Sequence, residues 1–431
     1  MSDNIELRIN FKRIIRYIML FLLFTICMFD FGPNKYQADN NILLHVYVFS
    51  YFIALYCGFK MFSKKRIFNK KEIEIIYNKN TLKIEKILKK GVYINFILMI
   101  IFCFVSTGST SIGSFFSKIL GGINDPAATY YDKVFNSEMQ QGANILNVIF
   151  MFIYPYILSI LVLSIYNFKK LNSTRKIICA LTIILEISRW VAMGTNKGVF
   201  DILILFISLY LLKTCYNENN KKKNKIKLKY KILIIIGGIS AFFMFTYFIS
   251  SRMYVKNDNL STGEKIYYGI EKMTNYIVQG YKGMDYALNL EWQPTFGVGN
   301  SMFLTSQVDH ILGTNLSERT YAKRAEVYGW SSTVNWHTAY TWFANDIHFI
   351  GIIPLMFFIG AFLAILIKEI ILYNNYFSAV LYYMIIIGIF YLSANNQVLA
   401  FSNMCIAFIT LFILRQLKVR RDRKYKWRTT S

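Results

Sequence analysis

Residues 347–367 read IHFIGIIPLMFFIGAFLAILI, 21 residues without a single Asp, Glu, Lys or Arg. A bilayer core needs about 20 such residues in helical form, because lipid offers no partner to an exposed backbone N–H or C=O. The stretch is expected to cross a membrane. Asp346 stands just before it and Lys368 just after. Working outward, nine further segments have the same character: 14–31, 42–62, 92–108, 145–166, 177–194, 199–212, 232–250, 377–394 and 398–414. The one at 199–212 is short, and interrupted spans often border binding sites. Composition agrees, with 55% hydrophobic and 17% charged residues, where soluble chains carry about 25% charged. The expected fold is an all-α polytopic membrane protein of about 10 transmembrane helices, a single domain over 1–431.

The net charge of +25 raises nucleic acid as a partner, and the positions of the charges exclude it. With the spans alternating from a cytoplasmic N-terminus, 36 of the 49 Lys and Arg fall on inside segments. This positive-inside asymmetry puts both termini in the cytoplasm. Runs such as Lys221–Lys223 and Arg420–Lys424 then face anionic inner-leaflet lipid. The first span has no small-residue cleavage site after it and reads as an uncleaved anchor. All six Cys lie in spans or at their ends, without CxxC or Cys/His spacing, so neither a disulfide framework nor a metal site is expected. No internal period is visible.

Two outer loops are long, 109–144 and 251–346. A loop of the second size is expected to fold in part and to carry function. Ser261-Thr262-Gly263-Glu264 has the form of a capping box, and Ile266, Ile270, Met273 and Ile277 follow at helical spacing, which predicts a helix. Trp292, Trp330, Trp336 and Trp342 also belong to this loop. Aromatic faces there stack on sugar rings or sit in an interfacial belt, and the sequence leaves both open.

Charge inside a span costs roughly 2.5 to 3.5 kcal/mol at its centre and tends to mark a polar cavity. Glu186 and Arg189 share one face of the fifth span, and Asp201 enters the sixth about one turn beyond Lys197. One reading is a self-neutralising Glu186–Arg189 pair. The other groups Arg189, Lys197 and Arg252 as three cations at the outer leaflet, suited to a lipid-linked diphosphate. Immediately above the eighth span, residues 335–346 read NWHTAYTWFAND, a dense polar and aromatic head that includes His337, Tyr340 and Asp346.

These stretches resemble the Wzy-type bacterial polysaccharide polymerases, the oligosaccharide repeat unit polymerases related to the O-antigen ligases. Arg189 followed by Gly194-Thr195-Asn196-Lys197-Gly198 is similar to the family's basic passage between two spans, and Ser250-Ser251-Arg252 to its second basic residue. Asn335-Trp336-His337 through Tyr340-Thr341, with Asp346, Gly351, Pro354 and Gly360, is similar to its closing signature. The likeness covers most of the chain by layout and about 60 residues by motif.

The resemblance implies a GT-C-like membrane fold and a metal-independent glycosyltransferase that needs no cofactor. Its reaction would polymerise undecaprenyl-diphosphate-linked repeat units into O-antigen or capsular polysaccharide at the outer face of the bacterial cytoplasmic membrane. Arg189, Lys197 and Arg252 would hold the leaving diphosphate. His337 or Asp346 would orient or deprotonate the acceptor hydroxyl. Trp292, Trp330, Trp336 and Tyr340 would hold glycan. A chain-length regulator and a flippase are the implied protein partners.

An O-antigen ligase and a lipid-linked sugar transporter are the rivals. In the ligase form a His-Asn/Ser/Gln pair has its Gly at a shorter offset, whereas His337 is followed by Thr338 and Gly351 lies 14 residues on, which favours the polymerase. A transporter is expected to spread polar groups through the depth of many spans and to show repeat symmetry.

Overall fold

The computed structural model describes residues 4–6, 11–64, 67–132, 145–195, 197–217 and 261–430. The seventh expected span, 232–250, and Arg252 beyond it lie outside the described residues. The described chain is helical, apart from a ribbon in which β1 (Asn4–Glu6) pairs antiparallel with β2 (Ile67–Asn69). Among the described residues seven helices are long and apolar enough to cross a membrane, so the chain is a multi-pass membrane protein. They are α1 (Lys12–Phe31), α2 (Asn41–Phe62), α3 (Lys70–Thr107), α6 (Ile145–Tyr166), α8 (Lys197–Asn217), α12 (Ala339–Tyr373) and α14 (Ser402–Thr430), the apolar part of α3 beginning at Ile73 and that of α14 ending at Asp422.

Three expectations change. The fifth segment forms α7 (Ser173–Ala192), whose charged residues keep it out of the seven. The ninth forms α13 (Tyr376–Phe390), apolar but only 15 residues long. The sixth is not short: α8 runs 21 residues, because Lys197 and Asp201 at its start are accommodated as an i,i+4 ion pair. The argument from an interrupted sixth span therefore falls away.

The chain divides into two compact units, one of residues 1–85, 208–221 and 275–431, the other of residues 86–207 and 222–274. In the first, α2 and α12 pack backbone to backbone. A Cβ on Gly58 would lie 1.9 Å from the Phe357 carbonyl oxygen, and one on Gly360 would lie 2.1 Å from that of Leu55. Small residues allow this approach, where lipid supplies no hydrophobic drive between helices. Helix α12 is broken at His348, whose φ of 59° is left-handed. Tyr51 of α2 donates to the Phe349 carbonyl at 2.8 Å beside the break.

The far end of α12 is tied by ions. Arg415 forks onto Glu369, which also accepts from Ser378 Oγ at 2.6 Å. Lys418 donates to Asn80 Oδ1 at 2.7 Å, and Asn80 donates to the Tyr373 carbonyl at 2.6 Å.

In the second unit, Met99, Phe102, Cys103, Phe115, Phe150, Ile157 and Ala192 form a core. Residues 109–144 supply α4 (Ile112–Asn124), capped by a Ser111–Ser114 box, and α5 (Pro126–Tyr131), capped by Asp125. The predicted helix after Ser261 is α9 (Thr262–Leu288); Glu264 Oε2 accepts from the Ser261 amide at 2.8 Å and the Glu264 amide donates to Ser261 Oγ at 3.4 Å, the reciprocal pair of a capping box. The remaining described helices are α10 (Met302–Leu312) and α11 (Tyr321–Arg324).

Candidate functional site

The expected cation cluster is occupied from within. Arg189 donates through Nε to Glu186 Oε2 at 3.0 Å and through Nη2 to Oε1 at 2.7 Å. Trp190 Nε1 reaches the same Oε1 at 2.9 Å. The guanidinium also stacks on the Phe102 and Trp190 rings, 4.5 Å from each centroid. A bidentate, doubly stacked and buried Arg is a complete structural unit. Lys197 is ion-paired with Asp201. Gly194, at φ 62°, closes α7, and Gly198 lies where a Cβ would meet the Trp190 ring at 1.9 Å. The glycines of this passage thus serve a turn and a tryptophan, and the self-neutralising reading describes the Glu186–Arg189 pair. Arg252, the third cation of the group, falls among the residues not described.

The polar head of α12 is different. Trp330 Nε1 donates to the Trp336 carbonyl at 3.1 Å, and the Thr338 amide donates to Gly280 at 3.3 Å. The Ala339 amide then donates to Leu392 at 2.9 Å, which joins the head to the turn after α13. Gly283 of α9 makes room: a Cβ there would lie 2.8 Å from His337 Nδ1, Trp330 Nε1 and the Trp336 carbonyl oxygen alike. His337 is thereby sealed in, 1% exposed, with Nδ1 facing the Gly283 backbone outside good hydrogen-bond geometry and Nε2 without a partner. Burial pushes the imidazole down to about 4, against a smaller opposing pull from the Gly283 backbone, so the ring is neutral at pH 7.

Four neighbours share its condition. Tyr340 Oη, Trp342 Nε1, Ser393 Oγ and Gln397 Oε1 are also buried without partners. Among the described residues seven buried side-chain polar atoms lack a partner, and six of them lie on His337–Trp342 and Ser393–Gln397. Folded proteins hydrogen-bond the large majority of such atoms, so their concentration on two adjoining segments singles out this part of the chain as the candidate polar site. The sequence carried a signal for the second segment: Ser393-Ala394-Asn395-Asn396-Gln397 interrupts an otherwise apolar stretch.

Asp346, the other expected base, is fully engaged. Its Oδ1 accepts from Thr295 Oγ1 at 2.5 Å and from the Gly297 and Gly299 amides at 2.8 and 3.1 Å. Its Oδ2 accepts from the Asn300 amide at 3.0 Å and side chain at 2.9 Å. Five donors fill a carboxylate's lone pairs, so Asp346 is a post for the 295–300 loop.

The expected glycan-binding rings divide similarly. Trp336 meets Tyr276 edge-on at 5.0 Å, Trp330 packs against Tyr286 at 5.7 Å, and Tyr340 lies 4.8 Å from Tyr51. Trp292, which donates to the Asn345 carbonyl at 3.1 Å, keeps 42% of its surface exposed. The chain matches no family model, no curated protein and no solved structure.

Proposed function

We propose that this chain is a metal-independent membrane glycosyltransferase that joins undecaprenyl-diphosphate-linked oligosaccharide repeat units into a polysaccharide at the outer face of the bacterial cytoplasmic membrane. The reading starts from the resemblance of the 189–198 and 335–360 stretches to the Wzy-type polymerases. The observation that supports it is the concentration of buried, neutral, unpartnered polar atoms on two neighbouring segments: the His337 ring nitrogens, Tyr340 Oη and Trp342 Nε1 on one, Ser393 Oγ and Gln397 Oε1 on the other. Sugars present many hydroxyls that both donate and accept, and an uncharged mixed set of donors and acceptors is what such a ligand completes.

In this reading the acceptor hydroxyl gives its proton to a ring nitrogen of His337 while its oxygen bonds to the donor's anomeric carbon. The bond from that carbon to the diphosphate oxygen breaks, and the diphosphate leaves with the electron pair. Attack opposite the leaving group inverts the linkage. Arg252, outside the described residues, remains the diphosphate partner that the resemblance implies. Arg189 and Lys197 contribute only where the substrate draws them from Glu186 and Asp201. A flippase and a chain-length regulator are the proposed protein partners.

The test is purified full-length protein in proteoliposomes with a defined undecaprenyl-diphosphate-linked repeat unit and a chelator. A ladder of lengthening products is expected, with none from His337→Ala. Absence of a ladder from the unsubstituted protein rejects the polymerase. A normal ladder from His337→Ala removes the base.

A further inference from the structure

Away from the His337 cluster, the first unit holds an open cavity of about 490 Å³ whose lining includes Thr295, Phe296, Val298, Leu312, Leu316 and Arg319. Both of its walls are built in advance. Asp346 fixes the 295–300 loop, and Asp309 fixes the 314–317 turn by accepting from Thr314 Oγ1 and the Leu316 and Ser317 amides at 2.7 to 2.8 Å. Those hydrogen bonds hold the Asp309 carboxyl down at about 2, so its charge persists at any ordinary pH.

Three independent features of the rim point to a ligand. Phe296 has φ 56°, a left-handed conformation that a bulky residue seldom adopts, and its ring is 74% exposed. Such strain persists only where the surroundings impose it, and ligand clamps are among the places where it collects. Arg319 is exposed and makes no ion pair or side-chain hydrogen bond among the described residues, its guanidinium carbon standing 5.9 Å from the Phe296 centroid. The lining from Val298, Leu312 and Leu316 is apolar.

Position suggests the occupant. Asp346, which anchors one wall, is the last charged residue of α12 before the apolar run from Ile347, so the cavity lies beside the start of that run. Phe296, Ile311 and Leu312 expose 74%, 72% and 68% of their surface around it, a face suited to the layer where headgroups meet acyl chains. We propose that this cavity binds an anionic phospholipid of the surrounding bilayer, its phosphate on Arg319 and the upper part of an acyl chain along Val298, Leu312 and Leu316. The site is independent of the proposed glycosyl transfer.

The experiment is native mass spectrometry of the full chain released from nanodiscs containing equimolar phosphatidylglycerol and phosphatidylcholine. Retention of phosphatidylglycerol over phosphatidylcholine is expected, and Arg319→Gln should lower it about tenfold, the scale of one charge-assisted contact at a part-shielded surface. Phe296→Gly, which suits the left-handed backbone and removes the ring, should lower it as well without lowering thermal stability. Equal retention by the Arg319→Gln protein overturns the proposal. So does displacement of phosphatidylglycerol by undecaprenyl phosphate at equal mole fraction, which would assign the cavity to a lipid-linked substrate.

Discussion

Replacing Asp346 with Asn separates a structural post from a catalytic base, because the substitution keeps the shape and removes one acceptor oxygen. In the native arrangement three donors converge on Oδ1 and two, both from Asn300, on Oδ2. An amide offers one oxygen, so with the better-served side kept, the two Asn300 donors face an NH2 group. Hydrogen bonds to a charged group are worth about 1.5 to 3 kcal/mol each, which sets a ceiling of about 3 to 6 kcal/mol for the pair. Asn300 is half-exposed and water takes over part of that loss, so the expected local cost is about 2 to 3 kcal/mol. Amide hydrogen exchange in lipid nanodiscs reads it directly. The Gly297, Gly299 and Asn300 amides should exchange roughly thirtyfold or more faster at that cost, while the α2–α12 core keeps its protection. Abolished transfer with unchanged exchange at those three amides would refute the reasoning and return Asp346 to the chemistry.

The His337 imidazole, held down to about 4 against an ordinary 6.5, is protonated in the unfolded chain before the folded one as pH falls. Its contribution is therefore fully present above about pH 6.5 and lost towards pH 4, on the order of 3 kcal/mol, and His337→Gln should flatten that part of an unfolding-midpoint series against pH. Gly360→Ala places a Cβ 2.1 Å from the Leu55 carbonyl oxygen and should cost about 1 to 3 kcal/mol in a denaturing-detergent titration, because backbone has to move. Arg415→Ala leaves the part-buried Glu369, still bonded by Ser378, without its ion and should cost about 2 to 3 kcal/mol in the same titration, whereas Arg415→Met with Glu369→Gln should recover most of that loss.

What was legible in the sequence follows from how each property is encoded. A membrane span is written locally, as length and apolarity, so 347–367 reads without reference to any other residue. The capping box at Ser261 is equally local. The state of a charge is not. Arg189 and Glu186 are recognisable as neighbours on one face, but whether the guanidinium is spent on that carboxylate or kept for a phosphate depends on Phe102 and Trp190 closing around it. Asp346 misled in the same way, since its five donors come from residues 46 to 51 positions earlier, in a loop without a motif. Ser393 reads as the end of the ninth span and Gln397 as part of the short connection after it, until the Ala339–Leu392 hydrogen bond joins this stretch to the head of α12.

Six buried polar atoms without partners, at about 1 kcal/mol or more each, would forfeit a sizeable share of the about 5 to 15 kcal/mol that keeps a domain folded. In the proposed reading these groups are kept for the sugar they meet, and the consequence is a trade between stability and activity. Ser393 is 2% exposed and its Oγ has no partner, so Ser393→Ala removes an unsatisfied group at the cost of one oxygen's volume. In the free protein the substitution should raise the unfolding midpoint, by about 1 kcal/mol or somewhat less, and Gln397→Met should act in the same direction. Both should weaken the acceptor more than the donor in the ladder assay, shortening the products while the first transfer persists. A Ser393→Ala protein less stable than the parent by about 1 kcal/mol would mean that the hydroxyl is already satisfied in the free state. The head of α12 would then be a packed joint between helices, with no vacancy for a sugar to fill.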